Sequence, residues 1–429
     1  MRKFFLTLVF CAVFLPFLEA KRAASPLIHV SITKGYKKQL VLAFPKLYVD
    51  AVPANLAQEL EEFIRLDLKL SGRVILLEDQ ARINQIAAKE SISKTDPVAW
   101  NALGIEKILK VQLSSPLGSL QAKFSIFDSQ GRCLTQGTQT GSKKSFRDLV
   151  YKISEAIVFA LTGEHGLSET RIAFGTDVKG EKTIFSCDIQ GRNVLRLVSN
   201  KSLVLCPVWG PRRETILYTS YQSINPGLFL KNLTSNRVDA VSTFPGVNVN
   251  GKINSNNEVL FTASRDGNPE IYYKNLNTGI VNRLTRRLGV DANPCWSSDN
   301  SQIAFVSSAE GNPHIYLMNR NGQNINRLTY SGSYNTNPAY SPDGKTLAFS
   351  SMQANYFNIA LFDFQQNRMD LLVTRMKNAE SPSWSPNSKN IVFASDKTGQ
   401  WELNIINVET QEIFQVTHNL GNCTNPSWA

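Results

Sequence analysis

Apolar triplets recur at a nearly constant step through the last three-fifths of the chain. Ile172-Ala173-Phe174, Ile216-Leu217-Tyr218, Val259-Leu260-Phe261, Ile303-Ala304-Phe305, Leu347-Ala348-Phe349 and Ile391-Val392-Phe393 stand 44, 43, 44, 44 and 44 residues apart. A polar marker keeps the same register: Asp188, Asn232, Asn275, Asn319, Asp363 and Asn407. Between markers, apolar residues alternate, as at Ile315, Leu317 and Ile325, which is the period of a strand. A repeat of roughly 40–50 residues built from several short strands predicts a β-propeller blade.

A third marker predicts how the ring closes. Eleven residues before the aromatic of most copies stands a proline with an aromatic two residues on: Pro207 with Trp209, Pro294 with Trp296, Pro338 with Tyr340, and Pro382 with Trp384. The second unit has Asn250-Gly251 instead. Pro426 with Trp428 has no apolar triplet after it, and the triplet at Ile172 has no proline before it. Each extremity supplies what the other lacks, so the C-terminal strand should complete the blade begun at residue 171, making six. Closure of this kind removes exposed strand edges. Ser341-Pro342-Asp343-Gly344 carries the residues of a tight turn between two strands. The recurring aromatics are expected to wedge between blades.

The blade period is absent before residue 166, and helical patterns take its place, so a separate α+β domain is expected over 33–165. Leu56, Leu60, Phe63, Ile64 and Leu70 make a helical stripe that Gly72 should stop. A strand should follow at 73–77. Asp96-Pro97 begins a short helix ending at Gly104. Strands near 107–112, 121–127 and 132–136 should form a hairpin or meander. Ser145, with Asp148 three positions on, opens a long helix that stops at Gly163, leaving 163–170 as the linker. The fold class expected is therefore two-domain: an N-terminal α+β domain followed by a six-bladed β-propeller over 166–429.

Residues 1–20 have the form of a secretory signal: Arg2-Lys3, an apolar run from Phe4 to Leu18, then Glu19-Ala20. The run is too short for a membrane anchor, so no transmembrane segment is expected in the mature chain. Cleavage after Ala20 fits best, with Ala24 the alternative. Phe10 before Cys11 argues against lipidation.

The net charge of +11 falls to +10 when Arg2, Lys3 and Glu19 leave with the signal. Basic runs such as 34–38, Arg212-Arg213 and Arg286-Arg287 are scattered and lack interleaved aromatics, so a nucleic-acid partner is not expected. Five cysteines remain after the signal: Cys133, Cys187, Cys206, Cys295 and Cys423. Their odd number and irregular spacing describe neither a disulfide framework nor a zinc site. Cys206 and Cys423 precede the proline positions of units that adjoin in the closed ring, which leaves a bridge between them open. The four histidines, His29, His165, His314 and His418, are dispersed. No Gly-x-Ser-x-Gly elbow and no glycine-rich phosphate loop occurs. Catalytic residues, metal and cofactor are accordingly all expected to be none.

The domain order, the segment Trp100-Asn101-Ala102-Leu103-Gly104-Ile105, Leu161-Thr162-Gly163 followed by Thr170-Arg171-Ile172-Ala173-Phe174, and the Asn-Pro-x-Trp-Ser-Pro-Asp-Gly units together carry a resemblance. The chain resembles the TolB family, periplasmic components of the Tol-Pal system of Gram-negative bacteria. That resemblance implies a non-enzymatic periplasmic scaffold. Its propeller would dock the peptidoglycan-associated lipoprotein Pal, and its mature N-terminal segment, 21–32, would engage TolA. The implied role is outer-membrane integrity and constriction during division.

The prolines are expected to make turns, and the loops just before each proline turn should emerge on one face around the channel, as a concave rim suited to recognition. The candidate contacts there are Val247, Asn248, Asp291, Ala292, Asn293, Asn335, Thr336, Asn337, Glu380 and Ser381. Family contact positions align with Val247 and with Ala292-Asn293, where relatives carry a histidine and a Thr-Glu pair. In the N-terminal segment, Ile28, Val30 and Ile32 alternate with His29 and Ser31, as a strand added to a partner's sheet would. The same stretch could equally pair within its own domain. A reading of another class is a secreted propeller that binds a small ligand or glycan, which would need aromatic or charged residues at the channel mouth.

Overall fold

The computed structural model describes residues 39–178, 181–199, 202–374 and 376–429. The signal and the segment holding Ile28 to Ile32 lie outside the described residues.

The N-terminal domain is a mixed sheet covered by helices. Strand β1 (Leu40–Ala43) pairs in parallel with β3 (Val74–Leu76) and with β4 (Lys107–Ser114), while β2 (Tyr48–Asp50) also pairs with β4. The meander continues antiparallel through β5 (Leu120–Asp128) to β6 (Cys133–Gly141). Helix α1 (Ala54–Leu70) buries Leu60, Phe63, Ile64 and Leu68 and ends before Gly72, whose φ is +65°. Helix α2 (Gln80–Ala87) was not expected, because only two of its eight residues, Ile83 and Ala87, are buried and give no apolar stripe. Its start is nevertheless set by Asp79, which accepts from the Arg82 amide.

Helix α3 (Pro97–Asn101) starts at Asp96 as expected but stops three residues short of Gly104. Trp100 is fully buried and donates its indole N–H to Glu90 at 3.0 Å. Glu90 also pairs at 2.7 Å with Lys110, a lysine with no exposed surface whose ammonium further donates to the carbonyls of Ser91 and Lys94. A buried charge pair persists only when its remaining donors and acceptors are satisfied, and this one organises the turn that presents Trp100.

Helix α4 (Phe146–Thr162) ends at Gly163 in the left-handed conformation, φ +71°. Its cap lies one turn earlier than expected. Ser142 accepts from the Ser145 amide at 3.2 Å, and Ser145 Oγ accepts from the Ser142 amide at 3.1 Å. Ser145 is thus spent on the turn at Lys143–Ser145 and does not cap α4 with its side chain.

Six four-stranded antiparallel sheets follow. Blade 1 begins at Val204–Trp209, blade 2 at Asn248–Ile253, blade 3 at Asp291–Trp296, blade 4 at Tyr334–Tyr340 and blade 5 at Ala379–Trp384. Blade 6 is composite: Thr424–Trp428 pairs with Ile172–Val178, followed by Glu181–Cys187 and Leu195–Val198. The ring closes as the markers implied. The apolar triplets form the second strand of each blade, with Phe174, Phe261, Phe305, Phe349 and Phe393 wholly buried. The aromatics wedge between blades: Trp384 of blade 5 donates to the Ala339 carbonyl of blade 4, and Trp209 of blade 1 to the Arg171 carbonyl beside blade 6.

The two domains share one apolar core, in which Leu68, Leu70 and Ile157 join Ile172, Val392 and Ile405. Polar ties surround it. Asn390 and Asn407 donate to the Leu70 carbonyl at 2.9 and 3.2 Å, Lys389 pairs with Glu164, and Arg192 pairs with Glu62 at 2.9 Å. The linker is pinned as well: Asp67 of α1 accepts from the Leu167 amide at 2.9 Å and from Ser154 Oγ of α4 at 2.7 Å.

Candidate docking face and central channel

Each blade's innermost strand breaks register at the same place, between Leu205 and Val208, Val249 and Lys252, Ala292 and Cys295, Thr336 and Ala339, Glu380 and Ser383, and Thr424 and Ser427. The prolines therefore sit in β-bulges within strands and do not make turns. Proline lacks an N–H, so it is tolerated in a sheet where the ladder is interrupted. Before it stands a residue of positive φ in every blade: Cys206, Asn250, Asn293, Asn337, Ser381 and Asn425, all between 50° and 57°. Asparagine accepts this conformation more readily than most residues. Blade 2 has glycine in place of proline because a Cβ on Gly251 would come within 2.7 to 2.9 Å of Leu217 and Leu228.

The six positive-φ side chains ring a central cavity of about 70 Å³. Asn250 donates to Asn293 Oδ1, Asn293 to Asn337 Oδ1 at 2.6 Å, and Asn337 to Ser381 Oγ at 2.7 Å. From the other side Asn425 also donates to Ser381 Oγ, at 3.3 Å. A belt of hydrogen bonds thus runs round the channel and is interrupted at Cys206. Lys252 enters the same cavity. Cys206 and Cys423 are both free, so the bridge left open by their spacing is not formed.

In each blade the loops from second to third strand, and from the last strand to the next blade, emerge on one face. The N-terminal domain packs against the opposite one, through Lys389, Asn407 and Asp188. The free face carries three of the most exposed large apolar side chains: Ile224 is fully exposed, Leu288 88 % and Tyr330 75 %. An open cleft lined by Thr398, Gln400, His418 and Asn419 indents it.

The candidate rim residues divide into three sets. Val247, Ala292 and Glu380 are half-buried at the free face. Asn293, Asn337 and Ser381 belong to the channel belt. Asn248, Asp291, Asn335 and Thr336 are buried, because the residues before each bulge already belong to the inner strand and turn between blades. Asn248 accepts from Ser242 Oγ at 2.6 Å and donates to the Phe244 carbonyl at 2.7 Å, holding the loop from inside. Asn335 donates to the Ser331 carbonyl at 2.8 Å and to His314 Nδ1 at 3.0 Å.

Two of the acids here are hard to ionise. Burial pushes the Asp291 carboxyl up to about 6, with the Glu270 charge adding to it against the Ser307 and Thr285 hydroxyls. Glu380 is pushed up to about 7 by burial and by Asp396. The exposed apolar tips Ile224, Leu288 and Tyr330 were missed from sequence. Their signal was an apolar residue inside a turn-rich stretch, as in Ser223-Ile224-Asn225-Pro226.

Among the described residues no group of three or more His, Cys, Asp and Glu is placed to hold a metal ion, and no helix is long and apolar enough to cross a membrane. Residues 158–429 match the TolB beta propeller domain and residues 28–132 the TolB amino-terminal domain. The chain belongs to the TolB family. It is similar to the Tol-Pal system protein TolB of Desulfosudis oleivorans, 28% identical over 53% of this chain and 51% of the relative. The namesake from Roseobacter denitrificans is 27% identical over 48% of each chain. In these alignments the chain spans about half the length of the curated relatives it matches. The crystal structure of TolB from Acinetobacter baumannii superposes with a TM-score of 0.79 at 25% identity, covering 93% of this chain and 98% of that one. The likeness to that structure therefore takes in both the propeller and the domain before it.

Proposed function

We propose that this chain is a non-catalytic periplasmic scaffold of the Tol-Pal system whose free propeller face receives the peptidoglycan-associated lipoprotein Pal. The observation that carries the reading is that the loops of the face which the N-terminal domain leaves clear expose the apolar tips Ile224, Leu288 and Tyr330, on the same face as the half-buried Val247, Ala292 and Glu380. Large apolar side chains at the tips of loops on one face are the kind of surface that a protein partner covers. Membership of the TolB family supports a protein partner from the Tol-Pal system, and the lipoprotein is the one this reading proposes. The N-terminal segment, 21–32, engages TolA in the same reading, so that the two partners meet different segments of one chain and couple the envelope layers during constriction.

Calorimetric titration with the soluble domain of the cognate lipoprotein tests the first half. Leu288→Asp is expected to weaken binding at least about tenfold, since truncating a central contact of an interface costs about 1–2 kcal/mol or more. Val98→Asp, on the N-terminal domain, should leave it unchanged. Equal affinity for all three proteins would refute the face. A chain beginning at residue 33 should lose capture of TolA while its propeller melts as before; retained capture would refute the segment's role.

A further inference from the structure

We propose that the central channel is a small-anion site, in which the Lys252 ammonium supplies the charge and the belt of side-chain donors completes the coordination. Lys252 projects from the bulge of blade 2 into the cavity ringed by Asn250, Asn293, Asn337, Ser381 and Asn425. Its ammonium has no hydrogen-bond or ion-pair partner among the described residues; burial pulls the Lys252 pKa below the usual lysine range, with Cys295 and Cys206 opposing, and no carboxylate acts on it. A half-buried ammonium without a counter-charge keeps an uncompensated part of its desolvation cost. An anion beside it removes that cost.

The belt supplies the remaining contacts. Asn250, Asn337 and Asn425 each use one amide N–H on the belt, and an asparagine amide has two. Ser381 Oγ accepts from two neighbours, which leaves its own proton to donate. Asn293 spends both of its amide hydrogens, on Asn337 and on Thr336 Oγ1. Unspent donors therefore come from four of the ring positions, while the interruption at Cys206 adds no competing charge, its thiol being held neutral by burial. A cavity of about 70 Å³ takes a halide or a single carboxylate or phosphate group with a water or two. The same ammonium disfavours a divalent cation in this space. The site is independent of the docking reading, because the cavity lies inside the ring.

Melting of the full mature chain is measured in sodium bromide titrated against sodium gluconate at constant ionic strength, with sodium acetate and inorganic phosphate as parallel arms and calcium gluconate as the counter-test. Well above half-saturation, each tenfold rise in bromide is expected to raise the Tm by about 2 °C. Lys252→Met should abolish the rise, and Lys345→Met, on an exposed hairpin, should keep it. A response to acetate or phosphate in place of bromide, still dependent on Lys252, supports the site and assigns the anion's class. Equal responses of the wild type and Lys252→Met, or stabilisation by calcium alone, would overturn the proposal. If Lys252→Met does not fold, bromide anomalous scattering from crystals of the unaltered chain decides: a peak against Lys252 Nζ supports the site, and an empty channel overturns it.

Discussion

Six side chains at one register close six hairpins by the same device. Asp188, Asn232, Asn275, Asn319, Asp363 and Asn407 each turn a side-chain oxygen back onto two backbone amides two to four residues on, as Asn319 does to Asn321 and Gln323 and Asn407 to Glu409 and Thr410. Asn and Asp are favoured in such turns because the side chain imitates the next peptide. The polar marker read from sequence is therefore a turn requirement and leaves nothing to assign to function. At the bulge register the residue scale decides differently, since a positive φ selects Asn in four blades and tolerates Cys206 and Ser381 in two. Cys206 is the one position where the belt stops. Cys206→Asn is expected to stabilise the propeller by about 1 kcal/mol, through relief of the left-handed strain and one added hydrogen bond towards Asn250 or Asn425. Urea unfolding of the two proteins measures this, and a lower midpoint for Cys206→Asn would show that the channel wall has no room for the amide.

At the scale of elements, what could be read from sequence is what repeats or caps. The strand triplets, the turn at Ser341 to Gly344, the left-handed glycines after α1 and α4, and the closing strand at Thr424–Trp428 all announce themselves through local chemistry. The bulges do not, because whether an Asn-Pro pair makes a turn or interrupts a strand depends on the ladder beside it. The same blindness explains Asn248, Asp291 and Asn335, which look like loop residues but face the neighbouring blade. The linker is the clearest case, for nothing local predicts that Asp67 would hold Leu167 from a helix one hundred residues earlier. Burial raises the Asp67 carboxyl to about 6, with the Leu167 amide and Ser154 hydroxyl opposing and the Glu155 charge adding. His165 caps Glu155 from the solvent side at 2.7 Å. Because the folded value lies above the unfolded one, the folded chain holds this proton more tightly. The contribution is full below about pH 4 and is lost as pH rises through about 6, with a total of about 3 kcal/mol. Asp67→Asn should flatten the stability profile between pH 4 and 7 by roughly that amount, because the carboxamide still accepts from the Leu167 amide and stays neutral throughout. Chemical unfolding of both proteins across this range measures the difference, and parallel profiles would mean that the carboxyl is ionised in the folded chain at all these pH values.

On the scale of the whole molecule, the ring and the N-terminal domain depend on one another through blades 5 and 6. Blade 6 is assembled from strands about 250 residues apart in the chain, and the surface that holds α1 and α4 is built largely on it and on its neighbour. The closing strand does more than complete a sheet. The Arg171 amide donates to the Ala429 carbonyl and the Ala429 amide to the Arg171 carbonyl. Ser427 accepts from the Trp209 amide of blade 1, and the Trp428 amide donates to Ser383 of blade 5. Trp428, almost wholly buried, donates its indole N–H to Thr170 in the linker at 2.9 Å. Removing residues 424–429 therefore takes one strand from blade 6, opens the edge of Ile172–Val178, and cuts the belt at Asn425. Burial of the tryptophan alone is worth about 3–5 kcal/mol, a large share of a typical domain's stability. Calorimetry of the truncated chain should show loss of the single cooperative transition, and size exclusion should show association through the unpaired edge. A peptide spanning 421–429 should restore both in proportion to its concentration, because binding to the folded form alone shifts the equilibrium by mass action. A truncated chain that stays monomeric and melts within about 2 °C of the intact one would mean that five blades and a three-stranded remnant suffice, and that closure is not what holds the ring.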